Sequence, residues 1–273
     1  MMDQYCVFGH PIEHSRSPFI HQMFAQQTKQ QLSYEKKWVE LDGFTQVITD
    51  FIAKGGKGAN VTVPFKEQAL QICDQLSQAA KRAGAVNTLS FIDGKILGDN
   101  TDGIGLVQDL LRHKVKIADS NILLLGAGGA AKGVLLPLLR KKPKNIIIAN
   151  RTASKAKLLS EQFSIYPVVG CGFDDIPFSE FDIIINATSA SLTGTFPDIS
   201  AQLIHAKMTC YDMVYSKELT PFLQWAKAQG AAKVFDGLGM LVGQAAVSFN
   251  IWRNVTPDVE TVINALRADI AKS

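Results

Sequence analysis

Along the chain, short apolar runs alternate with stretches in which apolar residues recur every three or four positions. The first texture predicts buried strands and the second predicts helices with one inward face. Their alternation predicts α/β architecture. Residues 5–8 read as a strand, followed by a polar loop from His10 to Pro18 and a helix from about Phe19. A strand is expected over 34–41 and a helix over 44–53. Gly55-Gly56-Lys57-Gly58 reads as a flexible break. Residues 59–63 form a short strand, and Pro64 opens a helix where a missing N–H does no harm. Segments 85–92 and 95–97 flank Asp93-Gly94, a strong hairpin signal.

The texture shifts after Asp102. Residues 103–114 read as a helix with Leu106, Leu110 and Leu111 inward. Ile122-Leu123-Leu124-Leu125 is a continuous apolar run, as a central parallel strand requires. Similar runs follow at 146–149, 166–169, 183–185, 209–211 and 233–235, with helical segments between most of them. Runs of this kind predict a doubly wound sheet. The tail, 240–252 and 257–271, reads as two helices with no strand after them. Such a tail cannot extend the sheet and is expected to pack back on the first domain. The domains expected are 1–102 completed by 240–273, and 103–239.

Composition narrows the class. At 273 residues the chain holds about two domains of roughly 150 residues. It is 47% hydrophobic and 19% charged, which excludes intrinsic disorder. A net charge of +3 argues for no nucleic-acid or membrane surface. The basic run from Arg140 to Lys144 suits a helix C-terminus. Cysteines at 6, 73, 171 and 210 have no zinc or redox spacing, and the histidines have no metal-ligand spacing. Reduced thiols, no metal and a cytoplasmic location are expected. The N-terminus lacks a signal-peptide pattern, and glycines, Lys132 and Pro137 break the most apolar stretch.

The sharpest local motif is Gly126-Ala127-Gly128-Gly129-Ala130-Ala131, between the buried strand and a helix. This is the dinucleotide fingerprint. Its glycines allow the tight turn and a close approach to pyrophosphate, and the helix N-terminus offers free N–H groups. The next strand runs into Asn150-Arg151-Thr152, where an NAD-binding fold would carry an acid. Arg151, with Lys155 four residues on, suits the 2′-phosphate of NADP. Thr152 and Ser154 can cap the helix that follows. Asn186-Ala187-Thr188-Ser189 ends the fourth strand, where ligands of such sheets sit.

Other polar clusters allow two readings each. Ser15 and Ser17 can cap a helix or hold a carboxylate. Lys66 falls in a first helical turn, a poor place for a fixed cation but suited to proton transfer. Asp102 stands where an N-cap is common. Gln244 lies in an apolar helix, where a buried amide needs partners.

Together the motifs resemble the shikimate dehydrogenase family. They are Gly9-His10-Pro11-Ile12 with Ser15–Pro18, 58–66, Gly84-Ala85-Val86-Asn87-Thr88, 98–103, 126–130, 150–152, 186–189, Tyr211-Asp212-Met213-Val214-Tyr215 and 236–240. The resemblance implies a substrate domain and a Rossmann-type NADP domain, and the NADPH-dependent reduction of 3-dehydroshikimate to shikimate. It implies Lys66 and Asp102 as the catalytic pair. Ser15, Ser17 and Tyr215 would hold the substrate carboxylate, and Asn60, Thr62, Lys66, Asn87, Asp102 and Gln244 its hydroxyls. The cofactor would meet residues 126–130 (Gly126, Ala127, Gly128, Gly129, Ala130), Asn150, Arg151, Thr152, Lys155, Ala187, Thr188, Met213, Gly237 and Met240. His10 departs from a frequent asparagine, Gln78 from an acid, and Lys155 from a second arginine. The implied partners are the small-molecule substrate and, at most, a second copy of the chain. A quinate/shikimate dehydrogenase using NAD would carry an acid near position 151. A nucleotide-sensing regulator without turnover would lack Lys66 or Asp102.

Overall fold

The computed structural model describes residues 2–177 and 180–272. In chain order the elements of the first half are β1 (Asp3–Gly9), α1 (Ser17–Thr28), β2 (Leu32–Trp38), α2 (Phe44–Ala53), β3 (Gly56–Val61), α3 (Lys66–Gln71), β4 (Gln75–Leu76), α4 (Gln78–Ala83), β5 (Thr88–Ile92), β6 (Lys95–Asp99) and α5 (Asp102–Arg112). There follow β7 (Asn121–Leu125), α6 (Gly129–Leu139), β8 (Asn145–Ala149), α7 (Ala153–Glu161), β9 (Val168–Cys171), β10 (Ile183–Asn186), β11 (Thr209–Asp212), α8 (Pro221–Ala228), β12 (Lys233–Phe235), α9 (Leu238–Arg253) and α10 (Val259–Lys272). Two compact units result: Met1–Gly105 with Leu241–Lys272, and Leu106–Met240.

The first unit is built on a six-stranded mixed sheet in the order β2-β1-β3-β5-β6-β4. β1 runs parallel to β2 and β3, and the β5–β6 hairpin pairs antiparallel beside β3. Helix α2 places Phe44, Ile48 and Phe51 against Phe8, and Phe44 stacks on Phe65 at 4.9 Å. Each such side chain contributes roughly 1.5–3 kcal/mol on full burial. α10 packs on α1, where Arg16 and Asp269 pair at 2.9 Å.

The glycine-rich stretch before residue 59 is not a flexible break. Gly56 and Gly58 belong to β3, flanked by β1 and β5. A Cβ on Gly58 would lie 2.6 Å from the Trp252 indole nitrogen and 2.7 Å from the Leu89 carbonyl. A Cβ on Gly56 would strike the Phe51 ring at 2.4 Å. Close packing, not freedom, excludes side chains there.

The second unit holds a parallel six-stranded sheet in the order β12-β11-β10-β7-β8-β9. β7 and β10 lie side by side, so the direction of winding reverses between them. Such a switch point leaves a crevice at the strand C-termini. Both faces are covered: Leu124, Ile146 and Ile185 pack under α6, and Leu123, Leu125 and Ile184 pack under α8. Burial on both faces explains the unbroken apolar runs. The third strand lies two residues later than its apolar run suggests, after a turn closed by Tyr166 N–H on the Phe163 carbonyl. In α5, Leu106 and Leu110 are buried but Leu111 is exposed; Val107 takes the inward place.

Candidate active site

In the first unit, polar side chains gather around Lys66. After β3 the chain turns, with Phe65 N–H donating to the Thr62 carbonyl at 3.0 Å. The turn delays the helix from Pro64 to Lys66. Phe65 is fully buried and anchors the turn. Lys66 Nζ donates to Asp102 Oδ2 at 2.6 Å, with the two side chains 29% and 16% exposed. A charge-assisted bond of that length is strong.

Asp102 is the first residue of α5, and its carboxylate does not cap the helix. Asn100 Oδ1 accepts the Asp102 N–H instead, at 3.2 Å. The carboxylate is thereby left to Lys66 and Asn87. Asn87 is buried, and its Oδ1 accepts the Thr101 N–H at 2.9 Å. That fixed donor decides the orientation of the amide, so Asn87 Nδ2 donates to Asp102 Oδ1 at 2.8 Å. Gln244 finds its partners in the same place. Its Nε2 donates to the Leu241 carbonyl at 2.9 Å, and its Oε1 lies 3.4 Å from Asn87 Nδ2 and from Thr101 Oγ1.

Ser15 and Ser17 lie in the turn that starts α1, and Ser15 Oγ accepts the Ser17 N–H at 3.3 Å. No side chain caps the helix at its N-cap, Arg16. The Thr62 hydroxyl has no hydrogen-bond partner among the described residues. Asn60 is buried and internally engaged: its Oδ1 accepts the Tyr34 hydroxyl at 2.7 Å, and its Nδ2 donates to the Asn87 carbonyl at 3.0 Å. The group thus combines an ammonium–carboxylate pair with neutral donors. It can stabilise and protonate a developing oxyanion.

In the second unit the glycine turn follows β7. Gly126 sits at φ +108°, and a Cβ there would meet the Ala187 carbonyl and the Thr188 methyl at 3.2 Å. Gly128 is the N-cap of α6, without a side-chain cap. A Cβ on Gly128 or Gly129 would meet nothing within 4 Å. Gly128, Gly129 and Ala130 are exposed while Ala127 and Ala131 are buried, so the free N–H groups of α6 open onto an uncovered turn. This donor set fits a pyrophosphate.

β8 leads into Asn150, whose Nδ2 donates to the Thr152 carbonyl at 3.0 Å. Arg151 and Lys155 are exposed and have no partner among the described residues. Thr152 is the N-cap of α7, but its hydroxyl makes no capping bond, nor does that of Ser154. Two unpartnered cations beside the glycine turn fit a second phosphate.

Thr188 gives its N–H and its hydroxyl to Asn186 Oδ1, at 3.1 and 2.7 Å. Asn186 Nδ2 donates in turn to Asp212 Oδ1 at 3.2 Å. Asp212 is fully buried and also accepts the Ser191 and Thr220 hydroxyls, each at 2.6 Å. Desolvation pushes its carboxyl pKa up against these donors. The sequence places these residues in the motifs at 186–189 and 211–215, but nothing in either motif marks the brace that joins them. Ala187 N–H reaches the Leu125 carbonyl at 2.8 Å, and Met213 N–H reaches the Asn186 carbonyl at 2.9 Å. A Cβ on Gly237 would lie 2.1 Å from the Met213 carbonyl oxygen, and Met240 is buried nearby in the same unit's core. Tyr215 is half-buried in the loop after β11.

All four cysteines are free thiols. Among the described residues no cluster of His, Cys, Asp and Glu suits a metal, and no helix is long and apolar enough to cross a membrane.

Comparison with known proteins bears on these two groups. The model of the shikimate dehydrogenase substrate binding domain matches residues 7–89. The shikimate / quinate 5-dehydrogenase model matches 109–198, and the shikimate 5′-dehydrogenase C-terminal domain model matches 237–267. A shikimate dehydrogenase (NADP(+)) of Colwellia psychrerythraea is 59% identical over 98% of this chain and 98% of its own. The crystal structure of an Ael1 enzyme from Pseudomonas putida is 43% identical with a TM-score of 0.93, covering 97% of this chain and 98% of that one. A shikimate 5-dehydrogenase of Thermus thermophilus, solved with NADP(H) and shikimate, is 31% identical with a TM-score of 0.88, covering 98% and 99%. Identity at that level along the whole length, under models that follow one another from the first strand to the last helix, makes the chain a member of the shikimate dehydrogenase family.

Proposed function

We propose that the protein catalyses the reversible NADPH-dependent reduction of 3-dehydroshikimate to shikimate. One observation carries the chemical side of this reading: the 2.6 Å Lys66–Asp102 pair, held by an Asn87 amide of fixed orientation. The open glycine turn and the unpartnered Arg151 support NADP as the cofactor.

When bound, the nicotinamide supplies or removes a hydride at the ring carbon. Lys66, as the ammonium, donates to the ketone oxygen as negative charge grows there and then gives it the proton. In the oxidation direction the unprotonated lysine takes the hydroxyl proton. Asp102 orients Lys66 and accepts from the same hydroxyl.

Ser15, Ser17 and Tyr215 take the substrate carboxylate through neutral hydroxyls, which give direction without trapping the product. Asn60, Thr62, Asn87 and Gln244 serve the ring hydroxyls. Gly126, Ala127, Gly128, Gly129 and Ala130 cradle the pyrophosphate, and Asn150, Arg151, Thr152 and Lys155 receive the ribose phosphate. Ala187, Thr188, Met213, Gly237 and Met240 line the nicotinamide side. The first unit is thus the substrate domain and the second the NADP domain of a cytoplasmic enzyme, monomeric or homodimeric.

The test measures turnover at the nicotinamide absorbance band with shikimate or quinate, each with NADP or NAD. Shikimate with NADP should give the highest kcat/KM. A higher value for quinate with NAD, or no turnover with any pair, overturns the reading.

A further inference from the structure

Behind Asn87 lies a buried polar seam of which the reaction scheme above uses only Asn60. Ser248, on α9, is fully buried. Its hydroxyl lies 2.8 Å from Thr88 Oγ1, 3.2 Å from Thr101 Oγ1 and 3.0 Å from the Gln244 carbonyl. It accepts from Asn60 Nδ2 at 3.1 Å. Thr88, at the start of β5, is 1% exposed and donates to Asn87 Oδ1 at 2.8 Å.

The direction of the seam follows from its ends. Tyr34 is half-buried and stacks on the parallel ring of His21, with centroids 4.1 Å apart, and desolvation raises its pKa and keeps the phenol protonated. A phenol donates to Asn60 Oδ1, which turns Asn60 Nδ2 toward Ser248. At the other end Asp102 only accepts, so Asn87 presents Nδ2 to it and Oδ1 to Thr88. The Thr88 proton goes to Asn87, so the Ser248 proton is shared between Thr88 Oγ1 at 2.8 Å and the Gln244 carbonyl at 3.0 Å.

We propose that Ser248 and Thr88 are positioning residues of the reaction: their hydroxyls link the Tyr34–Asn60 pair to Asn87 and reinforce, beside the Thr101 N–H, the face that Asn87 turns to Asp102. Asn60 acts as a link in this seam. The proposal rests on the dehydrogenase reading and deepens it. If either hydroxyl is lost, Asn87 loses part of the bias that aligns Asp102 and, through it, Lys66. Each truncation leaves its neighbours another partner: the Gln244 carbonyl for Ser248, and Thr88 Oγ1 for Asn60 Nδ2 at 3.3 Å. The fold therefore survives.

The experiment compares Ser248→Ala, Thr88→Val, Thr88→Ser and the double variant Ser248→Ala/Thr88→Val with the wild-type chain, with thermal melts alongside. Shikimate oxidation by NADP is followed at saturation and as a function of NADP. Both truncations should lower kcat roughly 10- to 100-fold, the scale of a catalytic group misplaced by about an ångström, with KM for NADP within about twofold of wild type. Thr88→Ser should restore most of the rate. The double variant should be no worse than the poorer single one, because a link cannot be lost twice. Rates near wild type in both folded truncations overturn the proposal, as do additive losses or failure of Thr88→Ser to rescue. A wild-type chain that does not turn over shikimate refutes the dehydrogenase reading itself.

Discussion

Replacing Arg151 by alanine isolates the cofactor's distinguishing phosphate. In the structure the side chain is exposed and has no partner among the described residues, so its removal breaks nothing within the fold. A surface change of that kind stays within about 0.5 kcal/mol, or a degree or two in Tm. One charge-assisted phosphate contact is worth about 1.5–3 kcal/mol. At about 1.4 kcal/mol per decade this is a loss of roughly 10- to 150-fold in kcat/KM for NADPH. NADH carries no 2′-phosphate and should be unaffected. Lys155→Ala should act in the same direction but less, since an ammonium lacks the planar fork. The assay is steady-state reduction of 3-dehydroshikimate with each cofactor at fixed ionic strength. An unchanged NADPH/NADH ratio in a folded Arg151→Ala protein refutes the assignment, and so does an equal loss with both cofactors.

Three other outcomes are expected. Ser15→Ala with Ser17→Ala should raise KM for shikimate and leave KM for NADP unchanged; a wild-type shikimate KM would return both serines to the helix start. Gly128→Val should fold, at a cost of roughly 1 kcal/mol for a poor N-cap, but lose NADP binding because the side chain fills the open turn. Tight NADP binding by that variant in calorimetry would refute the pyrophosphate site. His21 is fully buried with neither ring nitrogen hydrogen-bonded, and desolvation lowers its pKa from 6.5 to about 3. Only the unfolded chain binds its proton between these values, so the contribution is present above pH 6.5 and lost as pH falls toward 3. From pH 7 to pH 5 the loss is about 2 kcal/mol. His21→Phe should flatten the pH dependence of urea stability by that amount, and an unchanged slope contradicts the burial argument.

Much of this was legible from periodicity. The unbroken runs of β7, β8 and β10 could only be strands covered on both faces. The glycine turn announced its place between a buried strand and a helix. Where the reasons were tertiary, local pattern misled. Gly56 and Gly58 look like a hinge until Phe51, Trp252 and Leu89 are in place. Thr152 has the right type and position for a capping hydroxyl but makes no such bond. Asp102 looks like an N-cap, and only the Asn100 side chain, which takes that duty, releases its carboxylate. The seam from Tyr34 through Ser248 to Asn87 joins residues far apart in the chain, and no single-sequence period marks it. Spacing alone could not choose between a surface lysine and a catalytic one at position 66. The family resemblance chose, and the 2.6 Å pairing with Asp102 gives that choice a physical basis.

The most direct test of the central claim is kcat for Lys66→Ala, Asp102→Asn and the double variant, with circular dichroism as the control for folding. Lys66→Ala should lose roughly 10²- to 10⁴-fold in kcat and kcat/KM together, since its bond to the reacting oxygen strengthens only as charge develops. Asp102→Asn should fall in the same range with some rise in shikimate KM, and the double variant should fall little further than the worse single one. A folded Lys66→Ala protein with near-wild-type kcat would make Lys66 a surface charge and contradict the account.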